Sequence, residues 1–147
     1  MFLLPLTLLL CVGVGVYSMD EEMAELARMI REECVAQSGV DAALIARVNA
    51  GEPLMPDARL KCYVKCTMET AGMMADGAVD VEAILAVLPE PMRSHNEAII
   101  RACGSQPGAD RCDVAYNTQR CWQAANQRDY MLIYCKIKVT QKPSINS

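Results

Sequence analysis

Cysteine is the one residue type in this chain whose number and spacing could support chemistry. Cys34 is followed by 27 residues to Cys62, three to Cys66, 36 to Cys103, eight to Cys112 and eight to Cys121. Cysteine sulfur can ligate a metal, attack as a thiolate or pair oxidatively. A structural zinc site calls for closely spaced C-x2-C pairs or several histidines. The chain has no such pairs, and His95 is its single histidine. A nucleophile needs a base held between it and a carboxylate. His95 stands between Ser94 and Asn96 with nothing that marks such an arrangement, and it reads as a solvated surface residue. Oxidative pairing is the remaining chemistry, and it suits a small chain on a secretory route.

Six cysteines leave many pairings open, and spacing alone does not choose among them. Cys62 and Cys66 are one helical turn apart, so both project from one face of a helix. Parallel side chains on one helix are poorly placed to bridge each other, so each is expected to reach a different element. Among other chemistries, the G-x-S-x-G elbow, the phosphate-binding loop and the dinucleotide fingerprint are all missing. The Cys-Cys-x-x-His signature of secreted phospholipase A2 is missing too. A net charge of −4 argues against nucleic acid and anionic membrane surfaces as partners.

The elements that must position these cysteines begin after an apolar leader. Residues 1–18 carry no charged side chain, run through Phe2-Leu3-Leu4-Pro5-Leu6, and end in Val16-Tyr17-Ser18, with charge starting at Asp20. This stretch is too short for a membrane span and reads as a signal peptide cut near Ser18/Met19, taking Cys11 with it. Residues 19–147 then form one domain with no membrane insertion, about 140–147 being a flexible tail. No N-x-[ST] site is present, so N-glycosylation is not expected.

Hydrophobic periodicity predicts about six helices. The first runs over 20–37, with Met23, Leu26, Ala27, Ile30 and Cys34 on its inward face and Glu22, Glu25, Arg28 and Glu32 outward. Asp41 caps a second over 42–49, Pro56-Asp57 opens the third, and Asp80 caps a fourth over 81–88. Pro89 and Pro91 separate it from a fifth over 92–103, and Asp110 opens a sixth through 125. Asp76-Gly77 is a turn signal, but no strand is expected before residue 130. Residues 136–139 alternate and are expected to extend. Beyond the leader the aromatics are Trp122 and four tyrosines, against nine methionines, so the core is aliphatic and adaptable.

The order of the cysteine gaps, above all the three-residue gap and the last eight-residue gap, resembles that of the insect odorant-binding proteins. Leu60-Lys61-Cys62-Tyr63-Val64-Lys65-Cys66 resembles the K-C-Y-x-K-C helix of that family, and Thr118-Gln119-Arg120-Cys121-Trp122-Gln123 resembles the helix around its last cysteine. The resemblance implies an all-α fold, a compact bundle of about six helices with three interlocking disulfides around an apolar cavity. It implies the pairs Cys34–Cys66, Cys62–Cys112 and Cys103–Cys121. It further implies a secreted carrier that binds small hydrophobic ligands, odorants or pheromone-like semiochemicals, and delivers them through aqueous fluid to an olfactory receptor, with no catalytic residues, cofactor or metal.

On that resemblance and on composition, the expected cavity wall comprises Met55, Met68, Met73, Leu85, Leu88, Ile99, Tyr116, Trp122, Met131, Leu132, Ile133 and Tyr134. The hydroxyls of Tyr116 and Tyr134 are expected to orient a ligand oxygen. Family members discharge ligand in acid, which here would rest on carboxylates such as Glu90, Glu97, Asp110, Asp113 and Asp129. Cys135 is a departure from the six-cysteine pattern. It reads either as a buried thiol or as a cross-link between chains, so the protein is a monomer or a homodimer. The alternatives are a non-olfactory carrier in another body fluid and a disulfide-rich protein-interaction module.

Overall fold

The computed structural model describes residues 18–127, 130 and 132. Of the leader expected over residues 1–18, all but Ser18 lies outside the described residues, as do the wall residues Met131, Ile133 and Tyr134, the carboxylate Asp129, Cys135, the extension expected over 136–139 and the tail. Six helices follow in order: α1 (Ser18–Ser38), α2 (Ala42–Asn49), α3 (Ala58–Thr70), α4 (Val81–Val87), α5 (Glu90–Cys103) and α6 (Arg111–Ala125). No helix among the described residues is long and apolar enough to cross a membrane.

Four of the helix starts have a common local cause. Asp41, Asp57, Asp80 and Asp110 each sit in extended backbone, and each side chain accepts a first-turn backbone N–H, from Ala43, Leu60, Ala83 and Asp113 respectively. An aspartate there satisfies one of the orphan donors and complements the helix dipole. The fifth helix corrects the sequence reading. It begins at Glu90, with Pro91 inside its first turn. The first turn has no partner for the missing N–H and welcomes the fixed proline φ, so Pro91 helps to open α5 instead of preceding it.

A second correction concerns the expectation of no strand before residue 130. Between α3 and α4, Met74–Ala75 (β1) and Ala78–Val79 (β2) pair antiparallel, Met74 opposite Val79 and Ala75 opposite Ala78. The connecting Asp76 and Gly77 have φ of +53° and +78°. A two-residue turn with both φ positive matches the twist of the strands it joins, and Asp-Gly tolerates it. Asp80 N–H then bonds Met73 O at 2.9 Å, carrying the ribbon directly into the cap of α4.

The three bridges join Cys34 of α1 to Cys66 of α3, Cys62 of α3 to Cys112 of α6, and Cys103 of α5 to Cys121 of α6. Cys62 and Cys66 thus serve different neighbours, as their shared helix face requires. The α3–α6 seam is the centre of the bundle. Beside the Cys62–Cys112 bridge, Lys61 Nζ meets Asp113 Oδ1 at 3.0 Å and Arg111 meets Glu69 at 3.2 Å. The Asp113 carboxylate holds the Lys61 ammonium above its ordinary pKa.

The core is aliphatic, as composition suggested. Ile45, Val48, Leu60, Tyr63, Val64 and Met68 are fully enclosed, with Ile84, Leu85 and Ile100 closing it from α4 and α5. The expected inward face of α1 holds only in its second half. Cys34 is fully buried and Ile30 packs on the core, but Met23 and Leu26 are 40% and 52% exposed.

Candidate functional site

Helix α6 presents three polar side chains to the interior at helical spacing: Tyr116, Gln119 and Gln123, all buried. Each holds a segment that has no regular structure of its own. The loop between α2 and α3 contains Pro53 and Pro56, which prevent its backbone from joining either helix. Its polar groups go to α6. Leu54 N–H donates to Gln123 Oε1 at 2.8 Å, Gln123 Nε2 donates to Glu52 O at 2.9 Å, and Tyr116 Oη donates to Leu54 O at 3.1 Å. A turn away, Tyr130 Oη donates to Gln119 Oε1 at 2.6 Å, and Leu132 N–H donates to Asn49 Oδ1 at 2.8 Å. Burial pushes the Tyr130 phenol above its ordinary pKa, so it remains a neutral donor.

The residues expected to form the wall divide by depth. Met68, Met73, Leu85, Tyr116 and Leu132 are buried in the core cluster, and Met55, Leu88 and Trp122 are half-buried against it. Ile99 is half-buried on α5. The Tyr116 hydroxyl, expected to meet a ligand oxygen, is engaged by the Leu54 carbonyl, and its ring lies beneath the Lys61 ammonium at 4.9 Å. The Trp122 indole Nε1 is shielded from solvent and has no hydrogen-bond partner among the described residues.

A separate cleft of about 490 Å3 opens along α6, against the α2–α3 and α5–α6 loops. Pro53, Leu54, Gln106, Asn117, Arg120 and Gln123 are among the residues that line it, and none of the expected cavity-wall residues does. It is a polar surface depression.

Three residues whose role was not anticipated tie this region together. Gln119 and Gln123 anchor the segments just described, and Thr118 Oγ1 donates to Val114 O while accepting Gln106 N–H at 2.9 Å. Their only signal in the sequence is polarity on one helix, with Gln119 three residues after Tyr116 and Gln123 four residues after Gln119. That pattern marks an interior polar contact without naming its partner.

The fold and the bridges agree with the comparisons. Residues 17–125 match the model of the PBP/GOBP family. General odorant-binding protein 69a of Drosophila melanogaster is 32% identical over 100 residues, covering 67% of this chain and 68% of the relative. The structure of odorant binding protein 4 of Chrysopa pallens superposes with a TM-score of 0.68 at 26% identity, covering 78% of this chain and 98% of that one. The fatty acid binding protein OBP56a from the oral disk of the blowfly Phormia regina superposes at 0.58 with 25% identity, covering 76% and 96%. A capped six-helix bundle, three bridges joining the pairs that the resemblance implied and these matches lead to one conclusion: the chain belongs to the PBP/GOBP family of odorant-binding proteins.

Proposed function

We propose that this protein is a secreted carrier that takes up small hydrophobic molecules inside the helical bundle and conveys them through an aqueous fluid to a receptor. The observation that carries the reading is membership of the odorant-binding family over residues 17–125, on a bundle stapled at three points. The family match begins beside the expected cleavage at Ser18/Met19, which supports removal of the preceding leader and export of the chain.

Physical chemistry favours the same use. A hollow interior sacrifices packing, at roughly 24 cal/mol for each Å3 left empty. Each bridge offsets such a loss by about 3–4 kcal/mol of denatured-chain entropy. The wall would be drawn from Met55, Met68, Met73, Leu85, Leu88, Ile99, Trp122 and Leu132, with Met131, Ile133 and Tyr134 completing it from the C-terminal side. Methionine-rich walls adapt to flexible ligands, and the blowfly relative is described as a fatty acid binding protein. Aliphatic or terpenoid molecules therefore fit better than stacked aromatics. Catalysis and resident metals have no part in this reading.

The test is displacement of a fluorescent apolar probe from the refolded, oxidised protein by volatile alcohols, esters and fatty acids. Saturable uptake and competition at micromolar concentration is the expected result. Absence of uptake by protein with all three bridges verified would reject the carrier reading in favour of an interaction module.

A further inference from the structure

Trp122 is the sole tryptophan of the chain. Its indole nitrogen is buried without a hydrogen-bond partner among the described residues. An indole N–H can only donate, and a buried donor left unmatched is unfavourable and needs a physical explanation.

The neighbouring side chains on α6 do not supply one. A turn earlier, Thr118 Oγ1 already donates to Val114 O at 2.8 Å and accepts Gln106 N–H. Gln119 Oε1 accepts the Tyr130 hydroxyl, and Gln123 is engaged at both ends of its amide by the 52–54 loop. The backbone on either side is fixed. Cys121 is bonded to Cys103 of α5, and the Trp122 carbonyl accepts Asn126 N–H at 3.0 Å. The ring itself packs on the aliphatic core. The result is a donor held in place on a ring packed against the core, with the side-chain acceptors just named already engaged.

We propose that Trp122 Nε1 recognises the polar end of the carried molecule. The ligand class is then an apolar chain or ring system bearing a hydrogen-bond acceptor, such as a ketone, ester or carboxylate oxygen. This rests on the carrier reading above and deepens it. A hydrocarbon of the same shape fills the same space but leaves the donor unmatched, so the site prefers the oxygenated molecule by about five- to tenfold, the worth of one buried neutral hydrogen bond.

The single tryptophan makes the test direct, because the 15N–1H spectrum of the refolded wild-type protein contains one indole N–H resonance. Titration with 2-undecanone should move that resonance downfield while undecane does not, although both displace a fluorescent apolar probe. In Trp122→Phe the five- to tenfold preference for the ketone over the hydrocarbon should vanish, whatever the change in affinity for the probe itself. An indole resonance that responds equally to both molecules, or to neither while both displace the probe, overturns the proposal and assigns the N–H to water or to the protein itself. If wild-type protein with three verified bridges takes up no probe, the carrier reading fails, and that outcome is distinct from the preceding one.

Discussion

Leu54 and Gln123 stand 69 residues apart and share a 2.8 Å hydrogen bond from the backbone N–H of the first to the side-chain oxygen of the second. Because the same glutamine also donates to Glu52 O and Tyr116 donates to Leu54 O, α6 supplies what the proline-bounded loop cannot supply for itself. Gln123→Leu should therefore strand both a buried donor and an acceptor and lower stability by about 2–3 kcal/mol. Tyr116→Phe removes one neutral bond and should cost about 1 kcal/mol. Urea unfolding of the two single variants and the double variant measures both effects, and coupling between them is expected because they share Leu54.

The bridges close loops of unequal length, with sequence separations of 18 for Cys103–Cys121, 32 for Cys34–Cys66 and 50 for Cys62–Cys112. Chain entropy predicts losses rising from about 3 to about 4 kcal/mol in that order when each pair is replaced by serine. Thermal unfolding of the three double variants checks the ranking. Cys62–Cys112 should be the most costly for the further reason that it lies beside the Lys61–Asp113 pair in the central seam.

Tyr130→Phe tests how the last described residues are held. The hydroxyl bond to Gln119 and the Leu132–Asn49 bond are their side-chain anchors among the described residues. Loss of the first should raise amide exchange at Leu132 by about tenfold, equivalent to roughly 1.4 kcal/mol of local opening. Exchange in the core of α3 should be unaffected.

Acid sensitivity has a defined sign at the start of α5. The Glu90 carboxylate accepts a hydrogen bond from Ser94 Oγ and pairs with Arg93, and these hold its pKa below the ordinary 4.5. A depressed folded pKa gives stability that is present above 4.5 and lost as pH falls through the lower folded value. Glu90→Gln should thus be less stable than wild type at pH 7 and converge with it in strongly acidic solution, as read from urea midpoints across pH. With its pKa below 4.5, Glu90 is expected to stay largely charged between pH 7 and pH 5, so Glu90→Gln should leave any pH dependence of ligand affinity over that range unchanged.

Much of this bundle is legible in the sequence because its causes are local. Asp41, Asp57, Asp80 and Asp110 announce helix starts, and the cysteine gaps carry the family resemblance. What escapes the sequence depends on distant neighbours. Periodicity identifies the apolar stripe of α1 but not that Met23 and Leu26 stay exposed, which depends on where the other helices pack. The β1–β2 ribbon is too short for alternation to register, and Ala75 and Ala78 are poor strand formers. Pro91 looks like a breaker unless the helix is known to start one residue earlier. Gln119 and Gln123 are visible as polar residues on α6, but their partners are 11 and 69 residues away.

The order in which the three bridges interlock has a consequence for survival in digestive or proteolytic surroundings. The loops spanned by Cys34–Cys66, Cys62–Cys112 and Cys103–Cys121 overlap end to end along the chain. Any single peptide bond cut between Cys34 and Cys121 therefore falls within at least one of them. A nicked molecule keeps its mass on a non-reducing gel and separates into fragments only once a reductant is added. Continuity of the protein between these cysteines does not depend on the integrity of any one peptide bond.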